Sequence, residues 1–213
     1  MVVEVAGGGS QLEMEHCHVE GGRTSAGGAV RVGSSGSLSA RQCVLHSKGN
    51  GLCVCEGGKA VLRDCRVNGC GFSGVKVEGA SVHMKCSEIC RHAWPNVWVD
   101  EKGHADLEHV ISNGSKSSGL LARGQSSACA THSEASGNGR MGAVATNQAS
   151  LTLRHCTCSC NHGYGIRAVD SGVILAEHTQ AIKNKYGNSA EWSQASITCH
   201  GCDLGGQAVK QQW

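Results

Sequence analysis

Proline and large aromatic side chains are nearly absent from this 213-residue chain, which carries one Pro, one Phe, two Tyr and four Trp. With aromatics at 3%, an ordinary sandwich or bundle core built around large rings is excluded. The single proline excludes a collagen-like chain or a proline-rich linker. Charge of one sign is missing as well. A formal net charge of +2 gives no electrostatic case for nucleic acid or an anionic membrane surface. No apolar run reaches the roughly 20 residues that a membrane helix needs. The opening MVVEVAGGGSQLEMEH lacks the apolar stretch of a secretory leader. No P-loop, dinucleotide fingerprint or nucleophile elbow is present.

What the chain has in quantity is glycine (31), cysteine (14) and repetition. Aligned on Gly plus a short apolar pair, repeats start at Ala29, Gly51, Gly74, Asn96, Gly119, Gly142 and Gly165, 22 or 23 residues apart. An alternating pair follows each start: Val30/Val32, Leu52/Val54, Val75/Val77, Val97/Val99, Leu120/Ala122, Ala143/Ala145 and Ile166/Ala168. Such alternation predicts a half-buried strand. About nine residues on, a second strand places pairs such as Leu62 with Ala60 and Leu151 with Leu153 inward; two residues are skipped and a third pair follows, such as Cys65 and Val67. This register holds over nine copies. Corners such as Asn68-Gly69 and Asn113-Gly114 suit a left-handed backbone.

A 22-residue unit of three short strands cannot bury its apolar edge alone, but stacked units bury a continuous column. Rungs about 4.8 Å apart leave a narrow bore that favours Val, Ala, Cys, Ser and Thr. The expected fold is all-β: a single-stranded right-handed parallel β-helix of about nine coils, filling residues 1–213 as one domain. The handedness follows the general rule for parallel crossovers.

The unit at 142–165, with A-S-L-T-L-R-H-C-T-C-S-C-N-H-G-Y-G, and A-V-L-R-D-C-R-V-N-G-C-G at 60–71 resemble the parallel β-helix repeat of the pectin-lyase-like superfamily. That superfamily includes polysaccharide lyases, glycoside hydrolases, epimerases and non-catalytic modules. The cysteine-rich version here looks most like the intracellular β-helices of F-box adaptors and Shc-binding proteins. For those, the resemblance implies a recognition surface.

By register, Cys17, Cys43, Cys65, Cys156, Cys158, Cys199 and Cys202 point inward as small hydrophobes. Cβ atoms one rung apart exceed the roughly 3.8 Å a disulfide wants, so the thiols are expected to be reduced and the chain cytoplasmic. Cys53, Cys55, Cys70, Cys86, Cys90, Cys129 and Cys160 fall on outward or loop positions. Cys53-x-Cys55 with Cys70 is the best metal candidate, but the paired Cys-x-x-Cys spacing of structural zinc occurs only at Cys199 and Cys202. No metal or other cofactor is expected. His109, His132, His155 and His178 occupy one position in four consecutive coils, and His16 holds it in the first. Adjacent imidazoles about 4.8 Å apart would stack and disfavour one another's protonation.

The first strand's outward column reads Arg31, Cys53, Lys76, Trp98, Leu121, Val144 and Arg167, apolar at its centre and basic at its ends. Trp94 stands beside Pro95 on the preceding turn. A partner-binding face of Trp94, Trp98, Leu121, Val144, Lys76 and Arg167 is therefore expected, unless a loop covers Trp98. The partner class is protein, with a glycan as the alternative, since an indole also stacks on a sugar ring. No catalytic constellation is identified. Asp64, Asp100, Asp106, Asp170 and Asp203 fall in different columns, no two outward carboxylates share a strand face in adjacent coils of the first sheet, and Glu78 and Asp100, as solvated corner residues, come nearest. The reading is a non-catalytic scaffold for a protein partner, with a carbohydrate-binding or carbohydrate-active β-helix as the alternative. Terminal coils expose pairing edges. Either the chain is part of a larger protein, or an end is covered by a partner, by a second copy end to end, or by Trp192 and Trp213.

Overall fold

A computed structural model describes residues 3–22, 28–205 and, for the backbone alone, 208–210. The chain winds as a parallel β-solenoid with three sheets. Among the described residues the first has ten strands, from Val3–Val5 to Ala208–Lys210, and the second has nine, from Gln11–Glu15 to Ser196–His200. All pairs are parallel and each coil adds a rung. Val75 pairs with Leu52 below and Val97 above, and Val82 pairs with Ala60 and Ala105. The third sheet has four strands ending at Glu88–Cys90. It continues as single bridges from Glu88 to Ile111, Glu134, Thr157, Gln180 and Asp203.

The inward columns form the core. Val30, Leu52, Val75, Val97, Leu120, Ala143 and Ile166 are all buried, as are Leu38, Leu62, Met84, Leu107, Leu153 and Ala176 behind them. Two ladders of polar side chains run beside this apolar bore. Asn138, Asn161 and Asn184 are buried one above another. Each Oδ1 accepts a backbone N–H of the preceding rung at 2.9 Å, from Ser115, Asn138 and Asn161. Each Nδ2 donates onward and to a carbonyl of Ser112, Ala135 or Cys158. These three buried amides are tolerated because their side-chain donors and acceptors are used.

The second ladder revises the reading of the cysteines. Cys43, Cys65 and Cys156 are buried, but their thiols act as donors rather than as plain hydrophobes. Each donates to the carbonyl two residues back and to one on the rung below, at 3.2–3.5 Å. Ser87, Ser133 and Thr179 take the same position with hydroxyls that also accept a backbone N–H. Small side chains fill this position, most of them with an X–H group; Val110 is the apolar exception. All 14 cysteines are free.

Other expectations fail at corners and ends. Cys70 lies on a loop as expected, but its thiol turns into the core cluster, and burial pushes it up to about 11. Cys53, Cys55 and Cys90 are buried too, while Cys86 and Cys160 are exposed and Cys129 is half-buried. Cys199 keeps its inward register against Ala176, yet it is exposed, because no further strand of that sheet follows among the described residues. Trp192 does not plug the end. Its ring packs against Arg167 and Tyr164 of the outer face; Trp213 lies outside the described residues.

His92 occupies a rung of the amide ladder. Its Nδ1 accepts the Cys70 N–H at 2.9 Å and its Nε2 donates to the Val67 carbonyl at 3.1 Å, which fixes the neutral tautomer. Burial lowers it from 6.5 to about 4. Above pH 6.5 the folded and unfolded chains both hold a neutral ring and this stability is fully present. As the pH falls toward 4 the unfolded chain takes up the proton first, and about 3 kcal/mol is lost. His92→Asn restores the amide pattern, so urea unfolding from pH 7 to 4 should lose less stability than in the wild type. An equal loss in both proteins would show that His92 is not the group responsible.

Candidate functional site

The outer face of the first sheet carries two neighbouring columns, because residues on either side of an inward residue both point outward. Register stacks Cys53, Lys76 and Trp98 in one column and Cys55, Glu78 and Asp100 in the next. Leu121, Val144 and Arg167 continue the first. All six sequence-predicted positions are therefore on or beside one face, but they are not equally accessible.

Trp98 is half-buried. Trp94 comes back over it from the turn that contains Pro95, stacking at 5.7 Å with 15° between planes, and Phe72 lies 6.0 Å beyond. Phe72 is carried to the same corner one coil earlier, where its carbonyl accepts the Trp94 N–H at 3.4 Å. Lys76 Nζ sits 4.9 Å and the Arg123 guanidinium 5.5 Å from the Trp98 ring centre. This is cation–π range on both sides. Trp94 stays 48% exposed, so part of the indole is accessible to a ligand. The Trp98 Nε1 is buried with no hydrogen-bond partner.

The far end of the face is built similarly. The Arg167 guanidinium lies 4.0 Å from the Trp192 ring and 5.8 Å from Tyr164. Burial lowers Arg167 from its ordinary value, and its Nε, like Trp192 Nε1, is buried and unpartnered. Between the two clusters Leu121 is half-buried, but Val144 is buried at 7% and has little surface to offer a partner.

The carboxylates correct the expectation of scattered, solvated acids. Glu78 and Asp100 are register partners on adjacent rungs. Asp100 is buried: Arg123 donates to its Oδ2 through Nε at 2.9 Å and a terminal nitrogen at 2.8 Å, and its Oδ1 accepts the Glu101 N–H at 2.9 Å. Lys76 closes on Glu78 at 2.7 Å. A neighbouring depression of about 340 Å³ is lined by Arg31, Cys53, Cys55, Glu56, Glu78 and Glu101, and there Arg31 pairs with Glu56 at 3.1 Å. Glu78, Asp100 and Glu56 are thus each held by a cation, while Glu101 stands exposed at the rim, so the paired groups are set to bind and orient a ligand. Cys70, in the core, stands apart from Cys53 and Cys55, and among the described residues no three His, Cys, Asp or Glu side chains form a metal cluster.

Phe72, Arg123, Tyr164 and Trp192 were not anticipated. Glu78, Asp100 and Arg123 recur at the repeat spacing, so reading the second outward column would have found Arg123. Phe72 and Trp94 share that spacing at the corner.

The family model described as right handed beta helix region matches residues 73–208. Among solved structures, the chain is similar to the A-module of the mannuronan C-5 epimerase AlgE4 of Azotobacter vinelandii. The TM-score is 0.58 at 12% identity, covering 99% of this chain and 78% of that one; at that identity the likeness concerns the fold. No curated protein matches the sequence.

Removing the locked and the open acid separately tests their roles. Asp100→Ala should destabilise the protein by about 2–3 kcal/mol in urea unfolding, because it strands the Glu101 N–H and Arg123. Glu78→Ala, in a partly exposed pair, should cost less than about 1 kcal/mol. Equal losses would contradict the distinction.

Proposed function

The chain belongs to the right-handed β-helix region family, and from that premise we propose that it is a non-catalytic recognition scaffold holding a protein segment on the Trp94–Trp98 face. One observation carries this reading: an exposed indole stacked on a half-buried one, flanked by cations that are already paired with the acids beside them. Stacked aromatics on a rigid sheet lose little entropy on binding, which is how interface anchors act. The paired acids support a binding role over proton transfer. The reading places the chain in the cytoplasm with the adaptor-type β-helices it resembles, supported by 14 unpaired cysteines.

A second reading, a glycan ligand, is favoured by aromatic–cation clusters at both ends of the face. Trp98 and Arg167 are three rungs apart, about 14 Å, a span suited to a short oligosaccharide. The fold likeness to a carbohydrate-active epimerase module adds to it.

A peptide display library and a glycan array, each screened with wild type and Trp94→Ala, separate the two. The proposal expects enriched peptides that bind wild type with micromolar Kd and Trp94→Ala at least about tenfold more weakly. Glycan hits that depend on Trp94, with no peptide enrichment, would replace it by the second reading.

A further inference from the structure

The corner between the second and third sheets is turned by one residue per coil, and in four consecutive coils that residue is histidine. His109, His132, His155 and His178 all hold a left-handed backbone, with φ of 52°, 50°, 51° and 48°. This aims every side chain outward at the same height on its rung, and all four are exposed. Their rings stack in one line at centroid distances of 5.2, 4.9 and 5.1 Å, with planes 9–10° apart. Below His109 the column continues as Cys86, Asp64 and Gln42, which floor an open groove of about 680 Å³.

We propose that this imidazole ladder is a binding site for a borderline divalent transition-metal ion of the Cu²⁺, Ni²⁺ or Zn²⁺ class, taken between histidines of adjacent rungs. Imidazole suits these ions. Two nitrogens bound at 2.0–2.1 Å to one ion lie about 3 Å apart, whereas stacked rings at these spacings hold theirs about 5 Å apart. A turn of each ring about its Cβ–Cγ bond closes the gap, and the exposure of the rings leaves room for it. The backbone spacing is fixed by the corner: the His109, His132 and His155 N–H groups donate to carbonyls of the next rung at 2.9–3.0 Å. The pair of donors is therefore presented at low entropic cost.

The surroundings fit a cation. Glu108 Oε1 lies 3.9 Å from His109 Nε2, and Glu177 precedes His178. The cations on that flank, Lys85 and Arg154, are paired with these carboxylates, each at 2.7 Å. No third protein ligand converges among the described residues, so the site holds its ion by two imidazoles, with water completing the shell, and exchanges it readily. Two such pairs fit the four rings.

Calorimetric titration of the full chain with Ni²⁺ tests the assignment. Wild type should bind one to two ions with Kd in the micromolar range, and His132→Asn/His155→Asn should bind at least about tenfold more weakly. Asn tolerates the left-handed corner, so the double variant should keep the wild-type circular dichroism. His83→Asn/His104→Asn should leave binding unchanged. In the wild type, substoichiometric Cu²⁺ should broaden the ladder Hε1 signals before those of His83 and His104, a result independent of any variant. Millimolar wild-type affinity, binding that survives loss of His132 and His155, or Cu²⁺ broadening that begins elsewhere would overturn it.

Discussion

Each coil turns from the second sheet into the third through one residue with a left-handed backbone: His16, Gln42, Asp64, Cys86, His109, His132, His155 and His178. For a side chain other than glycine this conformation is unfavourable by roughly 1–2 kcal/mol. It persists because every corner N–H donates to a carbonyl of the rung above, at 2.8–3.1 Å. The bend and the bond together fix where the next rung begins, so a one-residue slip would move a whole inward column outward. The apolar bore, the polar ladders and the outer face all depend on that fixed register.

Once register is fixed, chemistry is inherited by column. Thiols and hydroxyls share most of the positions after the corner, where each donates to the carbonyl two residues back and several also reach one on the rung below. Amides share the position near the third corner because each side chain both accepts and donates along the rod, and His92 joins them only as a neutral ring. Imidazoles share the exposed corner itself. On the outer face the same inheritance brings Trp98 beside Lys76 and Glu78 beside Asp100.

The apolar pairs, the sheets and the histidine column were legible in the sequence because each recurs at 22 or 23 residues. Reach across rungs was not. Strand alternation says that Asp100 points outward, but it does not show the Arg123 side chain that arrives from the next coil and pairs with the buried carboxylate. Cys70 shows the same limit at a corner, where alternation stops and the chain folds its thiol back into the core beneath Gly51. Cys199 shows it at an end, where an inward register no longer means burial. The Trp94 turn has no repeat counterpart apart from Phe72, so its stacking on Trp98 could not be read from the period.

The functional reading rests on rigidity: a face whose side chains are held by stacking and ion pairs recognises a ligand without rearranging. That rigidity originates at the corners, so the corners are the place to measure it. Native-state amide hydrogen exchange followed by NMR compares the N–H groups of Gln42, Asp64, Cys86, His109, His132 and His155 with those of the inward strands. Corner amides protected to the same degree as Leu62 and Leu153, and exchanging together with them, are the result this account predicts. Corner amides that exchange like exposed turns, while the strands stay protected, would contradict it.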